Sequence, residues 1–158
     1  MRDLLTAGLT ALDLDPAAAD KLARYAELLL EKNKVMNLTA ITVPHDVATL
    51  HLLDCAALAA QLDLSGKRVI DVGTGAGFPG MVLAILTPDA RFTLLDSLGK
   101  RVDFLKEVQT DLELKNVTCV HARAEEFAAE HRQSFDFAVS RAVANLSVLC
   151  ELLSLIHI

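Results

Sequence analysis

The chain has 158 residues, enough for one domain with a sizeable core. Hydrophobic residues make up 53% and aromatic residues 4%, which excludes a disordered chain. A formal net charge of −6 argues against a protein that coats nucleic acid by bulk charge, while leaving room for a local basic face.

The opening stretch MRDLLTAGLTALDLD carries Asp3 early and has no cleavage-site pattern, so no signal peptide is expected. No charge-free apolar stretch reaches the roughly 18 residues of a membrane span. Asp15-Pro16 predicts an N-cap followed by proline at the first helical position. Leu22, Tyr25, Ala26, Leu29 and Leu30 then recur at helical spacing. In EKNKVMNLTAIT, Asn33, Asn37 and Thr39 weaken helix propensity and predict an irregular segment. Pro44 opens a second helix, through HDVATLHLLDCAALAAQL, that closes near Ser65-Gly66. Residues 1–64 are therefore expected to form a helical cap.

After Gly66 the pattern alternates. Strands are predicted at 67–72, 91–96 (RFTLLD), 116–121 (NVTCVH) and 135–139 (FDFAV). Helices are predicted at 79–86, from Gly99 to about Leu112, at 123–131 and from Asn145 onward. On the longest of these, Val102, Leu105, Val108 and Leu112 share one face. Alternating strands and helices mean a parallel sheet covered on both faces. Cys55, Cys119 and Cys150 show no C-x-x-C spacing, which fits a reducing, cytoplasmic setting and no zinc site.

Residues 71–80, DVGTGAGFPG, form a glycine loop directly after the first core strand. Strand, glycine-rich turn and helix open a nucleotide-binding α/β fold. Gly75 to Gly80 matches G-x-G-x-x-G, but counted from Gly73 the third glycine position holds the bulky Phe78. No Gly-Lys-Ser/Thr follows, so this is not a Walker phosphate loop. The register acid-x-Gly-x-Gly-x-Gly (Asp71, Gly73, Gly75, Gly77) is similar to the first motif of class I S-adenosylmethionine-dependent methyltransferases. The second strand ends in Asp96, a carboxylate placed to accept ribose hydroxyls in either cofactor class.

Further motifs follow in order: Asn33-Lys34, Asn37-Leu38-Thr39-Ala40-Ile41, His51-Leu52-Leu53-Asp54, LLDSLGKR at 94–101, RAEE at 123–126 and SRAVA at 140–144. Together they resemble the bacterial 16S rRNA guanine-N7 methyltransferase family, once called glucose-inhibited division protein B. The family usually has Trp where Lys32 stands, and Ser where Cys55 follows Asp54.

The resemblance implies an α/β, Rossmann-like class I methyltransferase sheet with an N-terminal helical cap, incomplete at the C-terminus. Residues 65–152 supply its first four strands, and 153–158 are expected to be a non-native, adapter-encoded tail. An exposed fourth strand and poor solubility would follow. The resemblance further implies S-adenosylmethionine as cofactor, 16S rRNA or a small ribosomal subunit particle as partner, a monomer, no membrane and no metal. It places the cofactor against Gly73, Gly75, Gly77, Phe78, Asp96, Ala124, Glu125 and Arg141. It offers Lys34, Asn37, His51 and Arg101 as RNA contacts. Arg141 would hold an anion, either the methionine carboxylate or an RNA phosphate. Lys32, Lys34, Lys100, Arg101, Arg123 and Arg141 would form a basic rim.

Guanine N7 has a free lone pair and no proton, so no general base is required. Two alternatives remain open from the sequence. One is a fragment that binds cofactor or ribosome without turnover, and the other is a nicotinamide-dependent oxidoreductase.

Overall fold

A computed structural model describes residues 1–141 together with Cys150, Glu151 and Ser154. The helix expected from Asn145, and most of the expected tail, lie outside the described residues.

The N-terminal part is built of helices, with an irregular segment at 34–43 where the asparagines predict one. Helix α1 (Arg2–Ala11) buries Leu5 and Leu9. The Asp15 side chain accepts from the Ala17 amide, and Pro16–Ala18 makes a 3-10 turn that leads into α2 (Ala19–Asn33). On α2 the periodic residues Leu22, Tyr25, Ala26 and Leu29 are buried, as their spacing predicts, and Leu30 is half-buried. The second cap helix is not uniform. Short α3 (Pro44–Asp46) passes into a π-helical segment, Val47–Leu53, and then into α4 (Asp54–Gln61). The wider π turn changes which side chains share a face, and propensity alone does not reveal it.

The remaining elements are β1 (Arg68–Val72), α5 (Gly80–Leu86), β2 (Arg91–Asp96), α6 (Gly99–Asp111), β3 (Val117–His121), α7 (Ala124–Glu130) and β4 (Phe137–Val139). Among the described residues the four strands form one parallel sheet in the order β3-β2-β1-β4. Val69 pairs with Phe92 on one side of β1 and with Phe137 on the other. The chain thus moves outward from β1 to β3 and returns to the opposite side of β1. That reversal makes the carboxyl end of β1 a topological switch point, where open α/β sheets bind ligands.

Alternation along β1 explains the two layers. Val69 joins the larger apolar cluster, whereas Ile70 and Val72 join the smaller one under Phe127 and Ala128 of α7. The larger cluster holds Leu5, Leu22 and Leu52 of the cap with Val82, Leu83 and Leu94 of the core. Helix α5 is buried from Gly80 through Ile85 because the sheet lies on one side and the cap on the other. Its wholly apolar sequence, GMVLAIL, fits that sandwich. Ion pairs fasten the rim: Arg24 donates twice to Asp111 (2.9 and 2.8 Å), and Lys32 reaches Glu107 at 2.8 Å. Lys32 therefore bridges α2 to α6 and does not belong to the basic rim that the sequence suggests.

Candidate functional site

The loop from Gly73 to Phe78 sits at the switch point. Gly73, Gly75 and Gly77 have φ of 67°, 61° and 107°, a region that side-chain-bearing residues rarely adopt. A Cβ on Gly75 would meet nothing within 4 Å among the described residues, so this glycine faces space that they leave open. A Cβ on Gly77 would lie 2.5 Å from the Tyr25 hydroxyl and 3.0 Å from Met81 Cβ, so this one faces the protein. A Cβ on Gly80 would lie 2.3 Å from Leu94. The glycine that lets the helix pack close to the sheet is thus Gly80, two residues beyond the Phe78 position that a dinucleotide register would assign.

Two carboxylates shape this loop from below. Asp71 is fully buried, and its Oδ2 accepts from Thr74 Oγ1 (2.8 Å) and from the Gly80 amide (2.7 Å) at the start of α5. Its Oδ1 has no partner among the described residues. Burial pushes the Asp71 carboxyl up to about 7, against the pull of those two hydrogen bonds and of Arg141. Asp96 accepts the Gly75 amide on Oδ2 and the Leu98 amide on Oδ1, both at 2.9 Å. A carboxylate offers about four acceptor directions, so roughly two are unused by these amides, on a side chain that is 4% exposed. Arg101, a candidate RNA contact, lies 3.7 Å from Asp96 Oδ2 with its side chain 36% exposed.

The other side of the site follows β3. The Ala122 amide donates to the Asp96 carbonyl, which brings Ala124 and the exposed Glu125 to the same end of the sheet. After β4, Ser140 Oγ donates to the Val72 carbonyl at 2.8 Å, which sets Arg141 beside the start of the glycine loop.

The cap completes the surround. The Tyr25 hydroxyl donates to the Ala76 carbonyl, and its ring packs on Phe78 at 5.5 Å. The sequence marks Tyr25 only as a core position of a helix, and nothing in its spacing signals this bond. Phe78 is itself 5% exposed, stacked on His51 (4.5 Å, 17°) with the Arg141 guanidinium 5.1 Å from its centroid. Phe78 therefore lies on the cap side of the loop. His51 is 8% exposed, and its ring is engaged by Thr39, Phe78 and Arg141.

Arg141 Nη2 donates to His51 Nδ1 at 2.8 Å, and Nη1 lies 3.7 Å from Asp54 Oδ2 and 3.9 Å from Cys55 Sγ. His51 and Asp54, three residues apart, both turn toward Arg141. Arginine cannot accept, so His51 Nδ1 is unprotonated and Nε2–H donates to Thr39 Oγ1 at 2.8 Å. Burial, then the Arg141 charge, lowers the His51 pKa, while Asp54 opposes the shift. Burial pushes the Cys55 thiol up to about 12, so it is not an activated nucleophile.

Thr39 is held by Asn33, whose Oδ1 accepts the Leu38 and Thr39 amides (2.8 and 3.0 Å) and whose Nδ2 donates to the Thr39 carbonyl. Asn33→Ala is expected to cost about 2 kcal/mol by releasing that loop. A drop of several degrees in the thermal midpoint would show it, and an unchanged midpoint would refute it. Lys34 and Asn37 ride exposed on the same segment, and Lys100 and Arg123 are exposed nearer the sheet end. Among the described residues no group of His, Cys, Asp or Glu is arranged to hold a metal ion, and no helix is long and apolar enough to cross a membrane. One surface groove among the described residues, lined by Lys106, Gln109 and Thr118, lies along the outer edge of β3 and not at the glycine loop.

Comparison with known proteins agrees with this geometry. The family model described as "rRNA small subunit methyltransferase G" matches residues 18–157. A ribosomal RNA small subunit methyltransferase G of Clostridium botulinum (strain ATCC 19397 / Type A) is 48% identical over 143 residues, covering 89% of this chain and 60% of the relative. Its namesake in Clostridium perfringens (strain SM101 / Type A) is 52% identical over 134 residues, covering 83% and 56%. The chain therefore spans about 60% of the length of the curated relatives it matches. Among solved structures, a precorrin-6y C5,15-methyltransferase from Geobacter metallireducens aligns with a TM-score of 0.54 at 20% identity, over 65% of this chain and 53% of that one. A SAM-dependent methyltransferase from Thiobacillus denitrificans, in complex with S-adenosyl-L-homocysteine, aligns at 0.53 and 21%, over 77% and 48%. At those identities the likeness shows the fold, the Rossmann-like α/β sheet of class I methyltransferases.

Proposed function

Because the chain belongs to the rRNA small subunit methyltransferase G family, we propose that the protein transfers a methyl group from S-adenosylmethionine to N7 of a guanine in 16S rRNA. The observation that carries this reading is the open face of Gly75 above a carboxylate, Asp96, with acceptor directions to spare. A cradle that a single Cβ would fill, next to a ribose-accepting acid, fits a nucleoside cofactor.

Bound there, S-adenosylmethionine supplies a sulfonium methyl group that is already activated. The chain's residues then serve to orient. Gly73 and Gly75 let backbone approach, Asp96 receives ribose hydroxyls, and Ala124 and Glu125 border the base. No side chain is asked to remove a proton, since N7 carries none. The methylated base gains positive charge, which a bare cation nearby would oppose. Here the Arg141 guanidinium is turned to the cap, over the Phe78 ring and bonded to His51 Nδ1. On this reading Lys34, Asn37, Lys100 and Arg123 are the basic and polar groups left to meet RNA. The substrate is the RNA within a small ribosomal particle, because an acidic chain binds naked RNA weakly. The protein works as a cytoplasmic monomer without a metal.

Calorimetric titration of S-adenosylmethionine tests the cofactor site. Saturable binding is expected, lost in Gly73→Asp, whose side chain would project a carboxylate where backbone must come close. Appearance of N7-methylguanine in small ribosomal particles tests the chemistry. Failure of the folded chain to bind overturns the reading, and binding without methyl transfer identifies a binding fragment.

A further inference from the structure

The loop from Gly73 to Phe78 is fixed at both ends by groups far apart in sequence. Ser140 bonds the Val72 carbonyl at one end, and Arg141 lies over Phe78 at the other. Arg141 in turn reaches the cap, where its shortest contact is His51 Nδ1 at 2.8 Å. His51 has three separate contacts: an acceptor toward Arg141, a donor toward Thr39 and a ring face against Phe78. It stands in the π-helical segment, and Asp54, the residue that follows that segment, turns toward the same guanidinium.

We infer that His51 is a positioning residue for the proposed methyl transfer: as a neutral imidazole it fixes the Arg141 guanidinium over Phe78 and so holds the glycine loop in its cofactor-binding form. This rests on the cofactor reading above. The cap then belongs to the cofactor site and is more than a lid over the sheet. The logic is one of hydrogen-bond polarity. Five N–H donors on arginine need acceptors, and a neutral Nδ1 supplies one without cancelling the charge. Asp54, whose side chain is 66% exposed and 3.7 Å away, provides a looser contact that water competes for. The arginine fixes the tautomer, because it can only donate to Nδ1; Thr39 Oγ1, which also accepts the Ile41 amide, then receives Nε2–H. Asn33 holds Thr39, so the chain of positioning runs from the end of α2 to the glycine loop.

Two variants separate this role from ring packing. His51→Phe keeps a ring against Phe78 but removes the acceptor. His51→Asn removes the ring but keeps an acceptor near the Nδ1 position. If His51 acts through Arg141, the Phe variant binds S-adenosylmethionine about tenfold more weakly, the worth of a hydrogen bond to a charged group. The Asn variant stays within about threefold of the parent on the same scale. A merely structural ring would reverse that order. The loss in His51→Phe should also vanish in an Arg141→Met background, since coupled residues are not additive. Melting curves on each variant confirm folding. Imidazole nitrogen-15 spectra give a readout free of ligand, with Nδ1 unprotonated and Nε2 protonated expected at neutral pH. A parent chain that binds, with the Phe variant equal to it or better than the Asn variant, overturns the inference alone. So does a charged or Nδ1-protonated ring. A folded parent that binds no cofactor overturns the proposed function instead.

Discussion

Gly77→Ala is expected to destabilise the fold by roughly 4 kcal/mol, adding backbone strain to overpacking. Gly75→Ala, two residues earlier, is expected to cost about 1–2 kcal/mol from its left-handed backbone alone. Both glycines have positive φ, 107° and 61°, so conformation alone does not separate them. Surroundings do. At Gly77 the new methyl group would meet the Tyr25 hydroxyl at 2.5 Å, Leu105 Cδ2 at 2.9 Å and Met81 Cβ at 3.0 Å. The hydroxyl cannot simply swing away, because Tyr25 is fully buried and bonded to the Ala76 carbonyl. Met81 Cβ belongs to α5, which is buried on every side. At Gly75 the methyl group would meet none of the described residues and would enter the space that the proposed cofactor needs. The pair should therefore split two properties. Urea unfolding should show the Gly77 variant less stable than the Gly75 variant by about 2–3 kcal/mol. Titration should show the Gly75 variant folded yet poor at binding S-adenosylmethionine. Equal stability of the two variants would mean that Tyr25 and α5 yield, and that the loop is softer than its contacts imply.

The same contrast shows what a sequence can and cannot disclose. The four strands and their intervening helices are legible because apolar runs and turn residues are local signals: Arg91–Asp96 forms as its letters suggest, and Val102, Leu105 and Val108 of α6 are buried as their spacing requires. The glycine loop and Asp96 are legible because backbone that must turn sharply has few residues to choose from. What the letters do not carry is partnership across the fold. Tyr25 reads as one more apolar position, and only the docking of α2 brings its hydroxyl to Ala76. Arg141 reads as an anion holder, yet 90 residues of separation conceal the histidine that it contacts. Lys32 and Arg101 read as rim cations until Glu107 and Asp96 appear beside them. The π turn at Val47–Leu53 is invisible to propensity, since the letters suit an ordinary helix as well. The first helix is not predicted as an element of its own, although Leu5 and Leu9 are wholly buried.

Asp71→Asn is expected to make the protein more stable than the parent at pH 8 and to remove a pH dependence that the parent shows between about 4 and 7. The acid is wholly buried in β1, with only Thr74 Oγ1 and the Gly80 amide as donors, both on one oxygen. Burial favours the neutral form, which raises the folded carboxyl to about 7 from its ordinary 3.8. A group raised in this way lets the folded state hold a proton that the unfolded chain has already lost. Its contribution is therefore fully present below about 4 and disappears as pH rises through 7. That span corresponds to roughly 4 kcal/mol. Asparagine is neutral at every pH, and its carbonyl oxygen takes over both donors. Its amide would occupy the place of Oδ1, which has no partner among the described residues. That unpaired amide costs about 1–3 kcal/mol. The net gain at pH 8 is then about 2 kcal/mol, turning to a small loss near pH 4.5. Urea unfolding of both proteins at pH 4.5, 6 and 8 isolates this one group, because every other titration cancels in the difference. A difference that does not change with pH would show that Asp71 keeps its charge throughout, and that the Gly80 amide and α5 stabilise the carboxylate more than burial opposes it.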